Sequence, residues 1–293
     1  MAIDENDVRK VVERNDKYLL KLQKDHVKMV EGSVRKLQSK ILNQLTNLRT
    51  NTSGKVEGIR LNLKNLQKIH KRVEIIFDDD FSTAIKKQIA DFSKITGLIQ
   101  RSYRDLNEAV KFTDIDREAT EVLKTGVWRD FTALGDTKKE KVIQSMYDMV
   151  IAGGDFSDLV AAIESNIMGG ITGTGAGRSL LSYSTTYAND AVMNFHNQVN
   201  LTKAEDAGFT DFLYVGDIIE TTRDFCAARA GKVYSKKEID SWTFSWKGKS
   251  GPAFTHRGGY NCRHHWQAVR KEWLGGKDKI EIQNWNLEKR EGG

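Results

Sequence analysis

Four side chains in this sequence could act together as a chemical group: Cys226, His256, Cys262 and His264. Three of them fall within Thr255-His-Arg-Gly-Gly-Tyr-Asn-Cys-Arg-His-His-Trp266. Gly258 and Gly259 lack the Cβ that restricts the backbone, so the chain can turn sharply between His256 and Cys262. Thiolates and imidazoles together suit a tetrahedral Zn²⁺ ion. The spacing His-x5-Cys-x-His differs from the usual zinc patterns, and Cys226 lies 30 residues before His256. Three arrangements stay open on the residues alone. The four could hold zinc, the one cofactor they suggest. Cys226 and Cys262 could form a disulfide, whose closed loop would stabilise the fold by about 3–4 kcal/mol. Or both cysteines could stay reduced and pack as small hydrophobes. Two cysteines are too few for a disulfide scaffold, which fits a protein made in a reducing cytoplasm.

Other chemistries find less support. His264 and His265 beside Asn261 and Arg263 admit a metal-dependent nuclease of HNH-like type, as the alternative function. That chemistry needs a ββα frame and further ligands at defined spacing, and no second motif supplies them. The glycine-rich run over 168–177 has Thr172 and Arg178 where a phosphate-binding loop requires Gly and Lys, so it reads as a hinge. No catalytic residue is assigned, and the chain is expected not to be an enzyme.

Charge supplies a second candidate surface. Between Gly32 and Ile76 ten Lys and Arg are opposed only by Glu57 and Glu74, a local +8 in a chain of net charge +6. The rest of the molecule is therefore slightly acidic. Arg35, Lys36, Lys40, Arg60, Lys64, Lys68, Lys71 and Arg72 are the candidates for contact with DNA or an acidic partner. A solvated helix face is the plainer alternative.

The elements that must position these groups are mainly helical. A single proline, Pro252, leaves everything before it free to form long helices. Val27, Val30, Val34, Leu37, Ile41 and Leu48 make an apolar seam at helical spacing, with Leu45 beside the polar Gln44. Asn51-Thr-Ser-Gly54 predicts a turn. Leu63, Leu66, Ile69, Val73, Ile76 and Phe77 predict a second helix. Asp78-Asp-Asp80 interrupts, and Ile85, Ile89, Phe92, Ile95 and Ile99 predict a third. Several shorter helices are expected between Asp114 and Asn166, one of them with Val122, Leu123, Val127, Phe131 and Leu134 on its face. After Gly208 the texture changes. Phe212–Val215 and Lys232–Tyr234 read as short strands, Thr221 and Thr222 as N-caps before Cys226, Gly231 as a helix stop, and Ser235 as the cap of a further short helix. The fold class is mainly α, α+β overall: long N-terminal helices, then a small loop-rich α+β domain. The divisions read along the chain are 1–112, 113–207, 208–275 and a polar tail over 276–293. No run is long and apolar enough for a membrane span, and the acidic N-terminus lacks a secretory h-region.

Asp217-x4-Thr222-Arg223-x2-Cys226-x4-Gly231-Lys232-Val233-Tyr234, followed after a loop by Gly258-Gly259-Tyr260-Asn261-Cys262-Arg263-His264, resembles the head-morphogenesis (Mu-F-like) domain of tailed-phage minor head proteins. The resemblance covers about 55 residues strongly and the helix around 178–200 weakly. Where such proteins often show Pro and His before the last Cys, this chain has Gly-Gly-Tyr-Asn. The resemblance implies a virion component made in the host cytoplasm and incorporated in few copies. It implies partnership with the portal protein or major capsid protein at the head interior or portal vertex. It also implies a role in head assembly and in packaging or delivery of the genome, with non-specific contact to double-stranded DNA.

Overall fold

The computed structural model describes residues 2–169, 178–246 and 249–280. Most of the hinge segment (170–177) and most of the polar tail (281–293) lie outside the described residues. The long helices come first and a small sheet follows, as the residue pattern predicts. Contacts divide the chain into two compact units, each assembled from separated segments. One contains residues 25–90 and 124–188; the other contains 1–24, 91–123 and 189–293.

Helix α1 runs Glu5–Leu45. Asp4 starts it, its carboxylate accepting from the N–H groups of Asn6 and Asp7 at 2.8 and 3.1 Å, which satisfies donors that a helix leaves open. The seam is buried at Val30, Val34, Leu37, Ile41, Leu45 and Leu48, so Leu45 rather than Gln44 continues it. The predicted turn follows: Asn51 Oδ1 accepts from Ser53 N and Lys55 N, and Gly54 takes φ +82°.

Helix α2 (Ile59–Ile76) buries Leu66, Ile69, Val73 and Ile76. The predicted stripe is corrected at its start. Leu63 is exposed, and Asn62 points inward. Asn62 Oδ1 accepts from Arg49 N at 2.8 Å, and Nδ2 donates to the carbonyls of Glu57 (2.7 Å) and Arg49 (3.1 Å). One fully buried amide thus closes the α1–α2 connection. Asn62→Leu orphans the Arg49 N–H and the Glu57 carbonyl, while the Arg49 carbonyl keeps the Glu57 N–H, so it is expected to cost about 1–3 kcal/mol by urea unfolding.

The acidic triplet does not start a new helix. Phe77–Ser82 continues α2 as a π-helical stretch into α3 (Thr83–Ala90), and the break comes at Asp91, before α4 (Phe92–Asp105). Asp80 is buried, with Lys36 Nζ at 3.0 Å and Lys40 Nζ at 2.6 Å. Burial alone would raise its pKa, but the two ammonium groups hold it below the usual carboxylate range.

The expectation of several short helices after Asp114 is also corrected. A single helix, α5, spans Asp114–Ala152, followed by α6 (Phe156–Ile167). Its glycines do not break it: Gly126 sits in open space, and Gly135 lies where a Cβ would come within 3.0 Å of the Phe81 ring. Phe131 is buried, whereas Val122 is exposed.

Helix α7 (Leu180–Asp206) leads to β1 (Asp211–Val215). Then come α8 (Asp224–Ala227), β2 (Val233–Ser235), α9 (Lys236–Asp240), β3 (Thr243–Trp246), β4 (Lys249–Pro252), α10 (Ala253–His256), β5 (His265–Val269) and a 3-10 turn over Lys271–Leu274. The main sheet is antiparallel, ordered β2-β1-β5, with Tyr214 opposite Trp266 and Val215 opposite His265. β3 and β4 pair separately. Ser235 caps α9 through a reciprocal capping box with Glu238, as its position predicts. Thr221 and Thr222 do not cap α8. Arg223 is its N-cap residue, and Thr222 Oγ1 instead accepts from Ile219 N at 2.8 Å.

Candidate functional site

Cys226 lies in α8, and Cys262 and His264 lie between α10 and β5. The loop returns Cys262 toward Cys226 through three residues with positive φ: Arg257 (49°), Gly259 (90°) and Asn261 (57°). Helix α7 holds this loop by a polar stripe at helical spacing. Asp190 Oδ1 accepts from Asn261 N (2.9 Å), and Asn194 Oδ1 accepts from Arg257 Nη1 (2.8 Å). Asn197 Oδ1 accepts from Trp266 N (3.1 Å), and Asn200 Nδ2 donates to Trp266 O (3.0 Å). Backbone that would otherwise be buried without partners is satisfied in this way. Sequence reasoning missed the stripe, because Asp and Asn on a helix ordinarily mark its wet face. Their spacing (190, 194, 197, 200) was the available signal.

The loop brings three of the four candidate ligands together. Cys226 Sγ is 3.7 Å from Cys262 Sγ, and Cys262 Sγ is 3.8 Å from His264 Nδ1. All three donor atoms lie within 4.8 Å of one another, and all three residues are buried. His256 is not part of the group, which corrects the four-residue set. It ends α10, and its ring lies over Gly251, where a Cβ would touch it.

Glycines at two points make room for the cluster. A Cβ on Gly258 would collide with Cys226 Sγ and stand 3.2 Å from Cys262 Sγ. A Cβ on Gly216 would meet the His264 ring and, at 3.1 Å, its Cα. Tyr214, fully buried in β1, stacks on the His264 ring with centroids 5.2 Å apart. Its hydroxyl lies 3.3 Å from Cys226 Sγ and 3.9 Å from Cys262 Sγ. Gly258 N–H donates to Cys262 Sγ at 3.4 Å.

The two thiols are not equivalent. The hydrogen bond from Cys226 favours the Cys262 thiolate and outweighs burial, and His264 and Arg257 pull in the same direction, so Cys262 is held well below the usual thiol range. Cys226, which keeps its proton beside that thiolate in a buried place, is pushed up. Such a polarised pair is a ready donor set for a soft cation.

The cluster borders a cleft of about 300 Å³ whose lining includes Asp217, Thr222 and Arg223. Arg223 Nη2 donates to Tyr260 O at 2.7 Å and so ties the α8 segment to the loop. His265, the second histidine of the nuclease alternative, is fully buried in β5. Its ring meets that of His196 edge-on, with centroids 5.1 Å apart, and burial holds its pKa well down.

The basic candidates occupy α1 and α2. Lys36 and Lys40 are engaged by Asp80. Arg35, Arg60, Lys64, Lys68, Lys71 and Arg72 are exposed and form no ion pair among the described residues. Lys68, Lys71 and Arg72 line a groove of about 420 Å³ with the amides of Gln44, Asn47 and Asn65. Ile59, Leu61, Leu63 and Ile75, on the same helix, are 42–51% exposed, so apolar and cationic side chains alternate over its outer surface. No helix among the described residues is long and apolar enough to cross a membrane.

No family model, curated protein or solved structure matches this chain. The family resemblance therefore rests on the motif residues and on what they do together.

Proposed function

We propose that this chain is a structural minor head protein of a tailed bacteriophage, carried in few copies at the portal vertex and acting in head assembly. The observation that supports this reading is the convergence of the motif. Asp217, Thr222, Arg223, Cys226, Gly258, Cys262 and His264 are spread over nearly fifty positions, yet they border one cleft or touch the sulfur cluster beside it. Scattered chance matches would have no reason to meet. The motif behaves as one structural device, with the glycines and the arginine serving the cysteines.

The exposed face of α2 is the proposed docking surface for the portal or capsid subunit, or for DNA. Its cations would attract a polyanion, and phosphate contacts of this kind are independent of sequence and weaken steeply with salt. Neutralising Lys64, Lys68, Lys71 and Arg72 together is expected to weaken retention on double-stranded DNA at least about tenfold. The slope of log affinity against log salt should fall by about 3–4. Unchanged DNA retention would remove the DNA part of the proposal. Loss of portal capture by the same variant would then assign the face to an acidic protein partner. The reading as a whole is tested by co-expression with portal subunits and by mass spectrometry of purified particles. Absence from mature virions would overturn it.

A further inference from the structure

We propose that Cys226, Cys262 and His264 bind one Zn²⁺ ion, with the fourth coordination position open to the neighbouring cleft. The distances carry the assignment. Tetrahedral zinc with Zn–S near 2.3 Å and Zn–N near 2.0–2.1 Å holds two sulfurs about 3.8 Å apart and a sulfur and a nitrogen about 3.6 Å apart. The protein holds Cys226 Sγ and Cys262 Sγ at 3.7 Å and Cys262 Sγ and His264 Nδ1 at 3.8 Å. These match two of the three edges that the ligands would span in a coordination tetrahedron; the third, from Cys226 to His264, is within 4.8 Å, and the residues come from two segments 36 positions apart.

The surroundings suit a bound cation as well. The Gly258 N–H and the Tyr214 hydroxyl stand where they can donate to the two sulfurs once both are thiolates. Such outer contacts orient ligands and tune metal affinity. Tyr214 fixes the plane of the imidazole by stacking. Gly216 and Gly258 keep side chains out of the volume beside the ring and the sulfurs. On binding, the thiol proton that remains on the pair leaves to solvent, and no change of oxidation state is needed.

Three protein ligands leave one tetrahedral position. The cleft of about 300 Å³ reaches all three ligand residues and is also lined by Asp217, Thr222 and Arg223. Water or an exogenous anion would complete the shell there, in contrast to a closed structural site with four protein ligands. A metal centre here would stand whether or not the chain enters a virion.

The test uses the full-length reduced protein, titrated with Zn²⁺ and separately with Co²⁺. One zinc per chain is expected, measured by mass spectrometry of metal content after gel filtration. Co²⁺ should give thiolate-to-metal charge-transfer absorption and the visible bands of a four-coordinate ion, and azide should shift those visible bands by entering the open position. Cys226→Ser and His264→Gln should each weaken zinc binding at least about tenfold, since even outer-shell losses reach that size. His256→Ala should bind as wild type. Should a ligand variant fail to fold, the wild-type protein still decides. Zinc should slow thiol labelling of the native chain at least about tenfold, and a chelator should restore it. Less than about a tenth of a zinc per chain at saturating metal, or free thiols lost to a disulfide with no metal bound, overturns the site. Cobalt bands insensitive to azide overturn the open position.

Discussion

Replacing Gly258 with alanine is expected to destabilise the protein by about 3 kcal/mol or more, whereas Gly32→Ala should stabilise it by about 0.5–1 kcal/mol. The same methyl group acts with opposite sign because its surroundings differ. Gly32 lies in α1, exposed, with nothing within 4 Å of an added Cβ. There alanine gains helix propensity and loses nothing. Gly258 is buried, and its Cβ would overlap Cys226 Sγ. A cysteine side chain is short and has one torsion with which to escape. Around it stand Cys262 Sγ at 3.7 Å and the Tyr214 hydroxyl at 3.3 Å, both buried. Relief would require moving α8 or the 257–262 loop, which Arg223 and Asp190 hold in place. Urea midpoints of the two variants measured side by side check the prediction. A neutral Gly258→Ala would mean that the loop yields, and that the sulfur separation is not fixed by packing.

The sulfur cluster shows how far the sequence could be read. The pair Cys226 and Cys262, with His264 two residues further, was legible because few residue types do this chemistry and because Gly258-Gly259 announces a turn. The inclusion of His256 was not correctable from spacing. Its distance along the chain from Cys262 is short, but the direction of its ring is set by α10, which lays it over Gly251. The apolar seam of α1 was legible for a simpler reason: a helix against a core repeats its apolar residues every three or four positions, and Val30 to Leu45 does so.

Where polar residues are buried, the same rule misleads. Asn62 takes the inward position that Leu63 was expected to hold, because the Arg49 N–H and the Glu57 carbonyl of the α1–α2 connection needed partners there. Asp190, Asn197 and Asn200 serve the 261–266 backbone for the same reason. Burial follows from who needs a hydrogen bond, and that need arises from segments distant in sequence. The charge cluster was legible as composition but not as availability. Lys36 and Lys40 reach from the surface to pair with the buried Asp80, while the exposed cations of α2 form no ion pair among the described residues. The reach of α5 across 39 residues is not legible from apolar faces alone, and Gly126 and Gly135 within it are not required to turn.

Removing the carboxylate of Asp116 is expected to cost about 3 kcal/mol near neutral pH, and the cost should fade in acid. Asp116 has two duties at the start of α5. Its Oδ2 accepts from Thr113 N (2.5 Å) and Thr113 Oγ1 (2.8 Å), closing the first turn. Its Oδ1 meets Lys203 Nζ of α7 at 2.5 Å, with both side chains less than a tenth exposed. Asp116→Ala leaves the buried ammonium with Asp206 at 2.7 Å, whose carboxylate is 56% exposed and more weakly felt. Asp116→Asn keeps the turn and should therefore lose about 1 kcal/mol less. Asp206→Ala should cost no more than about 1 kcal/mol. Burial by itself would raise the Asp116 pKa, but Lys203 and Thr113 together hold it below the ordinary value. A carboxyl lowered in the folded state contributes its full stability above the unfolded pKa of about 3.9, and loses it as pH falls through the lower folded value. Lys203 has the opposite sign. Burial lowers its pKa, but Asp116 and then Asp206 raise it overall, so its contribution is lost only as pH rises through the folded lysine value. Wild type and Asp116→Ala should therefore differ by a constant amount from about pH 5 to pH 9 and converge below about pH 4. Urea unfolding across that range measures the difference. A gap that stays constant into strong acid would show that the lost energy is packing and not charge.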